Sequence, residues 1–159
     1  MKTSKGFSLI EVLIALVVFA VIGTIAGLNL HAYTLNRNLK SAAREIASDF
    51  FLCKQKAASE STTYQIVFNV AGGSYTIQTT TGVPPAVTKS IASFGKDITI
   101  ASASFTGSTV NFQSRGAVST PSGALNVGGD SVVLQNSRNS TATITVTTMG
   151  RTNVTFNIQ

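Results

Sequence analysis

Phe7-Ser8-Leu9-Ile10-Glu11-Val12-Leu13-Ile14-Ala15-Leu16 opens an apolar run that continues to Leu28 with Glu11 as its only charged residue. The run is about 22 residues long, and as a helix it measures roughly 33 Å, close to the hydrocarbon thickness of a bilayer. A carboxylate in such a helix costs about 2.5–3.5 kcal/mol at the bilayer centre, so an ionisable group there implies a function and a partner. Glu11 is the residue whose role the rest of the chain has to explain.

On the N-terminal side stand Lys2 and Lys5 with no acid beside them. This bias keeps the N-terminus in the cytoplasm and sends the remainder of the chain outward. The competing reading is a cleaved secretory signal, but its apolar region would span only about 7–15 residues and end at a small-residue site. Here the run continues into Asn29-Leu30-His31-Ala32-Tyr33. A signal anchor holding an external domain fits better.

On the C-terminal side the helical period persists. Leu28, Leu35, Leu39, Ile46, Phe50 and Ala57 mark one apolar face, and no Pro occurs between Phe7 and Ser61. The spacing predicts a single helix of about 54 residues, near 80 Å long. Gly23 and Gly27 form a small-xxx-small pair, which fits close helix packing and equally fits the general frequency of Gly in membrane helices. Arg37, Lys40 and Arg44 recur at i, i+3 and i+7 away from the apolar face. They read as a solvated stripe, with lipid phosphate or nucleic acid as the alternative. Cys53 is the one cysteine, so no internal disulfide forms, and its spacing makes it a small buried residue of this helix.

From Tyr64 the period becomes two. Tyr64-Gln65-Ile66-Val67-Phe68-Asn69-Val70 reads as a strand, Gly72-Gly73 as a turn, and Ser74-Tyr75-Thr76-Ile77-Gln78 as the returning strand. Further strands are expected at 97–101, 109–113, 123–127, 131–135, 141–147 and 153–158, separated by Gly, Pro and Ser-rich turns. Roughly seven or eight short strands with no second helix exclude a parallel α/β sheet. The fold class is α+β: a long N-terminal amphipathic and transmembrane helix followed by an antiparallel β domain, arranged as a two-sheet sandwich. The corresponding segments are a leader at 1–6, a transmembrane half-helix at 7–28, an amphipathic half-helix at 29–60 and a β domain at 61–159.

Composition narrows the function. Of 159 residues only 11% are charged, against about 25% in ordinary globular chains, and Trp is absent. The formal charge is +6, and loss of Lys2 and Lys5 leaves ten bases against six acids, or +4. With one histidine, His31, neither a His-based triad nor a multi-His metal site is available, so no catalytic residue, no metal and no cofactor is assigned. Glu45 and Asp49 lie four apart on the helix but lack metal-ligand neighbours, and they read as solvated charges. Asp130 follows Gly128-Gly129 and is expected to bond backbone in a turn.

Gly6-Phe7-Ser8-Leu9-Ile10-Glu11 resembles the type III signal of type IV prepilins and pseudopilins: a short basic leader ending in Gly, then Phe, with Glu as the fifth mature residue. The resemblance implies that a prepilin peptidase cuts between Gly6 and Phe7 and methylates the new amine of Phe7. It also implies that Glu11 pairs with the N-terminal amine of a neighbouring subunit during assembly. A free amine is mostly cationic near neutrality, and a nearby carboxylate in a low-dielectric bundle favours that form. Glu11 then registers subunits. Members of the family often carry a Pro in this helix, and its absence here leaves no ground for local melting.

Two shorter stretches, Val110-Asn111-Phe112-Gln113-Ser114-Arg115-Gly116 and Ile144-Thr145-Val146-Thr147-Thr148-Met149-Gly150-Arg151, resemble the H-type pseudopilins of type II secretion and the FimT-like minor pilins. That branch implies a two-sheet domain and a place at or near a filament tip. Its partners would be the prepilin peptidase, other pilins or pseudopilins, the inner-membrane assembly platform, secreted cargo and, before assembly, the lipid bilayer. Localisation would be the bacterial inner membrane, single-pass, with the β domain in the periplasm. Some FimT-like members use a C-terminal Gly-Arg-x-Arg element on DNA, whereas this chain has Gly150-Arg151-Thr152-Asn153 and lacks the second Arg. A DNA-binding minor pilin, using Arg115, Arg138 and Arg151 if the fold gathers them, is the first alternative function. An unrelated signal-anchored periplasmic binding domain is the second.

Overall fold

The structure, a computed structural model, describes residues 8–159, with side-chain surroundings for all of these except 25–30. Two compact units divide the chain at 34/35. The helix α1 (Leu9–Ser59) contributes to both.

From Leu9 to Ile22, α1 carries apolar side chains around its whole circumference, with Glu11 as the one charge. Leu9, Ile10, Val12, Leu13, Ile14, Leu16, Val17, Val18, Phe19, Val21 and Ile22 are all exposed, so this stretch has no core of its own. No helix among the described residues is long and apolar enough to cross a membrane.

In the second unit the periodicity emerges as packing. Leu35, Leu39, Ile46, Phe50, Cys53 and Ala57, joined by Ala42 and Ala43, are at most 4% exposed and form one continuous face. The helix stops where Ser61 takes a left-handed conformation (φ 52°) and the Thr62 amide reaches back to the Ala57 carbonyl at 3.2 Å. That is the 6→1 bond of a Schellman-type end.

Ten strands follow: β1 (Tyr64–Asn69), β2 (Ser74–Thr79), β3 (Val87–Ser90), β4 (Ile98–Ala103), β5 (Thr109–Phe112), β6 (Val118–Thr120), β7 (Gly123–Ala124), β8 (Asp130–Asn136), β9 (Thr141–Val146) and β10 (Thr152–Asn157). They make a six-stranded sheet in the order β3-β2-β1-β5-β6-β7 and a four-stranded sheet in the order β10-β9-β8-β4. Every pairing is antiparallel. Alternation places Val132, Leu134, Ala142, Ile144 and Val146 inward from one sheet, and Tyr64, Ile66, Phe68, Tyr75, Val110 and Phe112 inward from the other. Phe50 of α1 sits among them, with ring centroids 5.6 Å from Phe112, 6.2 Å from Phe68 and 6.4 Å from Phe105. One core therefore joins the helix face and both sheets.

The strand map departs from expectation in three places. β3 and β6 are additional: β3 begins just after Pro84-Pro85, and its exposed, weakly alternating Val-Thr-Lys-Ser carries little hydrophobic signal. The expected strand at 123–127 shrinks to Gly123–Ala124, because the chain turns through Gly128 and Gly129 and only Leu125 is buried. β4 runs longer than expected and shifts register between Ile100 and Ser102.

Candidate functional site

Glu11 lies in the first turn of α1, where its amide donates to the Ser8 carbonyl at 3.0 Å. It is exposed among exposed aliphatic side chains, the only acid of that surface among the described residues. The expected cleavage and methylation positions, Gly6 and Phe7, lie outside the described residues. At Gly23 a Cβ would meet nothing within 4 Å, so the small side chain is not required inside the monomer. Gly27 lies outside the residues whose surroundings are described.

Asp49 corrects the solvated-charge expectation. It is 4% exposed, and its carboxylate accepts the Lys89 ammonium at 2.9 Å through both oxygens and the Tyr75 phenol at 2.6 Å. Lys89 also donates to Glu45, half-exposed, at 2.8 Å. Four side chains from α1, β2 and β3 thus close a polar cluster at the edge of the six-stranded sheet. Burial, followed by the bond to Asp49 and its charge, drives the Tyr75 phenol well above its usual range. For Lys89, burial pulls the ammonium down but the bonds to Glu45 and Asp49 together outweigh it and the net shift is upward. Cys53 is buried as expected, and burial together with the Asp49 charge pushes its thiol up to about 12, leaving it protonated and inert at neutral pH. Asp130, 3% exposed, accepts from the Asn126 amide at 3.4 Å, the Asn126 side chain, and Ser104 Oγ at 3.2 Å, so it anchors the β7–β8 loop.

The three arginines do not converge. Arg138 sits in the β8–β9 hairpin and Arg151 just after the β9–β10 turn, so the length of β9, roughly 20 Å, separates them. Arg115, in the β5–β6 hairpin, comes instead to the end of the domain that carries the β9–β10 turn. It shares a hollow with Lys54, Gly116, Ala117, Thr148 and Met149. Arg151 lines a separate hollow with Gly128, Thr145, Thr147, Thr152 and Asn153. On the helix, Arg37 and Arg44 are exposed as a solvated stripe requires, while Lys40 leans over the Phe156 ring with Nζ 6.0 Å from its centre.

The prokaryotic N-terminal methylation motif matches residues 1–27, which includes Gly6, Phe7 and Glu11. The fold is similar to that of the minor pseudopilin EpsH from the type 2 secretion system of Vibrio cholerae. The TM-score is 0.55 at 9% identity, over 75% of this chain and 97% of that one. The chain therefore carries an N-terminal methylation motif at its start, and it has a fold like that of a minor pseudopilin. No curated protein matches its sequence.

Two features were not legible in the sequence: the Asp49, Tyr75 and Lys89 contact, and the hollow that Lys54 shares with Arg115. The first left a weak trace: Asp49 falls beside Ile46, Phe50 and Cys53 on the helical wheel, too near the apolar face to be freely solvated. The second left none, because it joins a helix to two hairpins that are about 60 and 95 residues away in sequence.

Proposed function

We propose that this chain is a minor pseudopilin, a non-enzymatic structural subunit of a type IV filament machine, and that type II protein secretion or pilus assembly is its setting. The observation that carries this reading is the methylation motif over residues 1–27 joined to a β domain folded like that of EpsH. In this reading a prepilin peptidase removes Met1 to Gly6 and methylates Phe7. The segment 7–28 is held in the inner membrane until the assembly platform passes the subunit into the filament, and the β domain faces the periplasm. The exposed aliphatic surface of α1 supports this, since it needs lipid or neighbouring helices to cover it. Other pilins or pseudopilins pack there, and the β domain meets sister subunits or cargo near the tip.

The DNA-binding alternative loses ground, because phosphate tracking needs several cations along one path and Arg138 stands at the opposite end of the sheet from Arg151. Coexpression with a prepilin peptidase tests the main reading by mass. The expected product lacks residues 1–6 and carries one added methyl group. A chain that emerges uncut overturns the assignment.

A further inference from the structure

We propose that the hollow between Lys54 and Arg115 is a docking site for a carboxylate on another protein, presented beside an aliphatic residue. Lys54 lies near the C-terminal end of α1, and its ammonium donates to the Met149 carbonyl at 2.8 Å. Gly150 makes room for it, and Gly116 lies alongside. A Cβ on Gly150 (φ +71°) would stand 2.9 Å from Lys54 Cδ and Nζ, and one on Gly116 (φ +79°) would stand 3.6 Å from Cε. The bond to the Met149 carbonyl places the ammonium at the hollow before any ligand arrives, which lowers part of the ordering cost of binding.

Of its three donors one is used within the protein, leaving two for a ligand. Across the hollow, Arg115 is exposed, and its guanidinium has no hydrogen-bond or ion-pair partner among the described residues. The hollow measures about 370 Å³ and no acidic residue lines it. Two cations share a concavity with nothing to neutralise them, and the planar fork of Arg matches a carboxylate through paired bonds.

The rim selects the ligand class. Met149 is 78% exposed beside Lys54, which offers apolar contact next to the charges. A nucleic-acid backbone would want further cations in line, but Arg151 lines the other hollow. An acidic side chain flanked by an aliphatic one satisfies both the charges and the rim. The inference concerns one surface of the domain and does not depend on the filament reading.

The test uses the full chain in detergent micelles and follows the amides of Gly116, Ala117 and Gly150 by NMR. Acetyl-Leu-Glu-Leu-amide is expected to give saturable shifts at about millimolar concentration, with acetyl-Leu-Gln-Leu-amide giving none. Arg115→Gln should weaken the effect by about fivefold or more with the unfolding midpoint unchanged. Lys54→Gln should do the same, read at the Gly116 and Ala117 amides even where it loosens the β9–β10 turn. Equal response to the two peptides, no saturable shift, or an Arg115→Gln chain that binds as well as the parent overturns the proposal. So does displacement of the acidic peptide by a short DNA duplex that itself shifts the same amides, which would assign the hollow to phosphate. Peptidase cleavage is unaffected by every one of these outcomes, so failure here leaves the pseudopilin reading standing.

Discussion

The Tyr75 phenol donates to the Asp49 carboxylate at 2.6 Å, joining a helix residue to a strand residue 26 positions later, with both side chains buried. A buried carboxylate is costly unless it is paired and hydrogen-bonded. Lys89, on the edge strand β3, supplies the countercharge at 2.9 Å. The cluster therefore does two things at once: it neutralises an acid on the core side of α1 and ties the outermost strand of the six-stranded sheet back to the helix.

Removing members of this cluster one at a time should give a defined order of instability. Asp49→Ala strands the Lys89 charge and the Tyr75 hydroxyl, and should cost about 3 kcal/mol. Tyr75→Phe keeps the ring and loses one bond to a charged acceptor, for about 1.5–3 kcal/mol. Glu45→Ala, at a half-exposed position, should cost no more than about 1 kcal/mol. Urea unfolding of the three variants in the full chain checks the ranking. A Tyr75→Phe chain as stable as the parent would show that the bond contributes nothing.

Alkaline pH should weaken the same core. Cys53 is raised in the folded state from 9.0 to about 12, so between those values the unfolded chain releases a proton that the folded chain keeps, and stability falls as pH rises. Tyr75 acts in the same direction above its ordinary value of 10.0. Lys89, raised above 10.5, contributes stability that is fully present below that value and is lost as pH rises through its folded pKa. Unfolding midpoints should therefore hold level from neutrality to about pH 9 and decline from there towards about 12. Cys53→Ala should flatten the first part of the decline, and an unchanged slope in that variant would remove Cys53 from the account.

Much of this architecture was legible because it is local and periodic. Leu35, Leu39, Ile46, Phe50 and Ala57 announced a helix face at the right spacing, and all of them are buried. The Tyr64 and Ser74 strands with Gly72-Gly73 between them announced a hairpin, and Tyr64 pairs with Thr79 down to Asn69 with Ser74. What escaped was either too short or too distant. Val87–Ser90 is held by pairing with β2 rather than by its own pattern. Asp49 looks like an ordinary charge in the sequence because its partners lie 26 and 40 residues downstream, where only the fold brings them together. The arginines carried chemistry but no distance information, and the fold separates Arg138 from the other two.

Gly129 should tolerate a side chain far less well than Gly73. Both adopt positive φ, at +95° and +57°, so alanine at either meets backbone strain of about 1 kcal/mol. At Gly73 the added Cβ meets nothing within 4 Å, whereas at Gly129 it collides with the Val146 carbonyl oxygen, a backbone atom of β9 that cannot swing aside. Gly129→Ala should therefore lower the unfolding midpoint clearly more than Gly73→Ala, and it should also disturb the Asp130 contacts to Asn126. Equal midpoints for the two variants would mean that the loop yields without cost.

Glu11 carries the last prediction. Its carboxylate stands in the first turn of α1 on a surface that is otherwise aliphatic, with Leu9, Ile10, Val12 and Leu13 exposed around it. A charge placed there helps only when an opposite charge reaches it, and under the proposed function the amine that cleavage would free on a neighbouring subunit would have the right sign. Valine at this position removes that attraction while making membrane insertion easier. Glu11→Val should therefore be inserted and cleaved like the parent, yet co-purify with sister pseudopilins about tenfold less well, because losing one partner of a desolvated charge pair costs more than the 1.4 kcal/mol that a tenfold change represents. Crosslinking and pull-down of tagged chains from membranes measures both steps, and incorporation at the parental level would leave Glu11 without the proposed role.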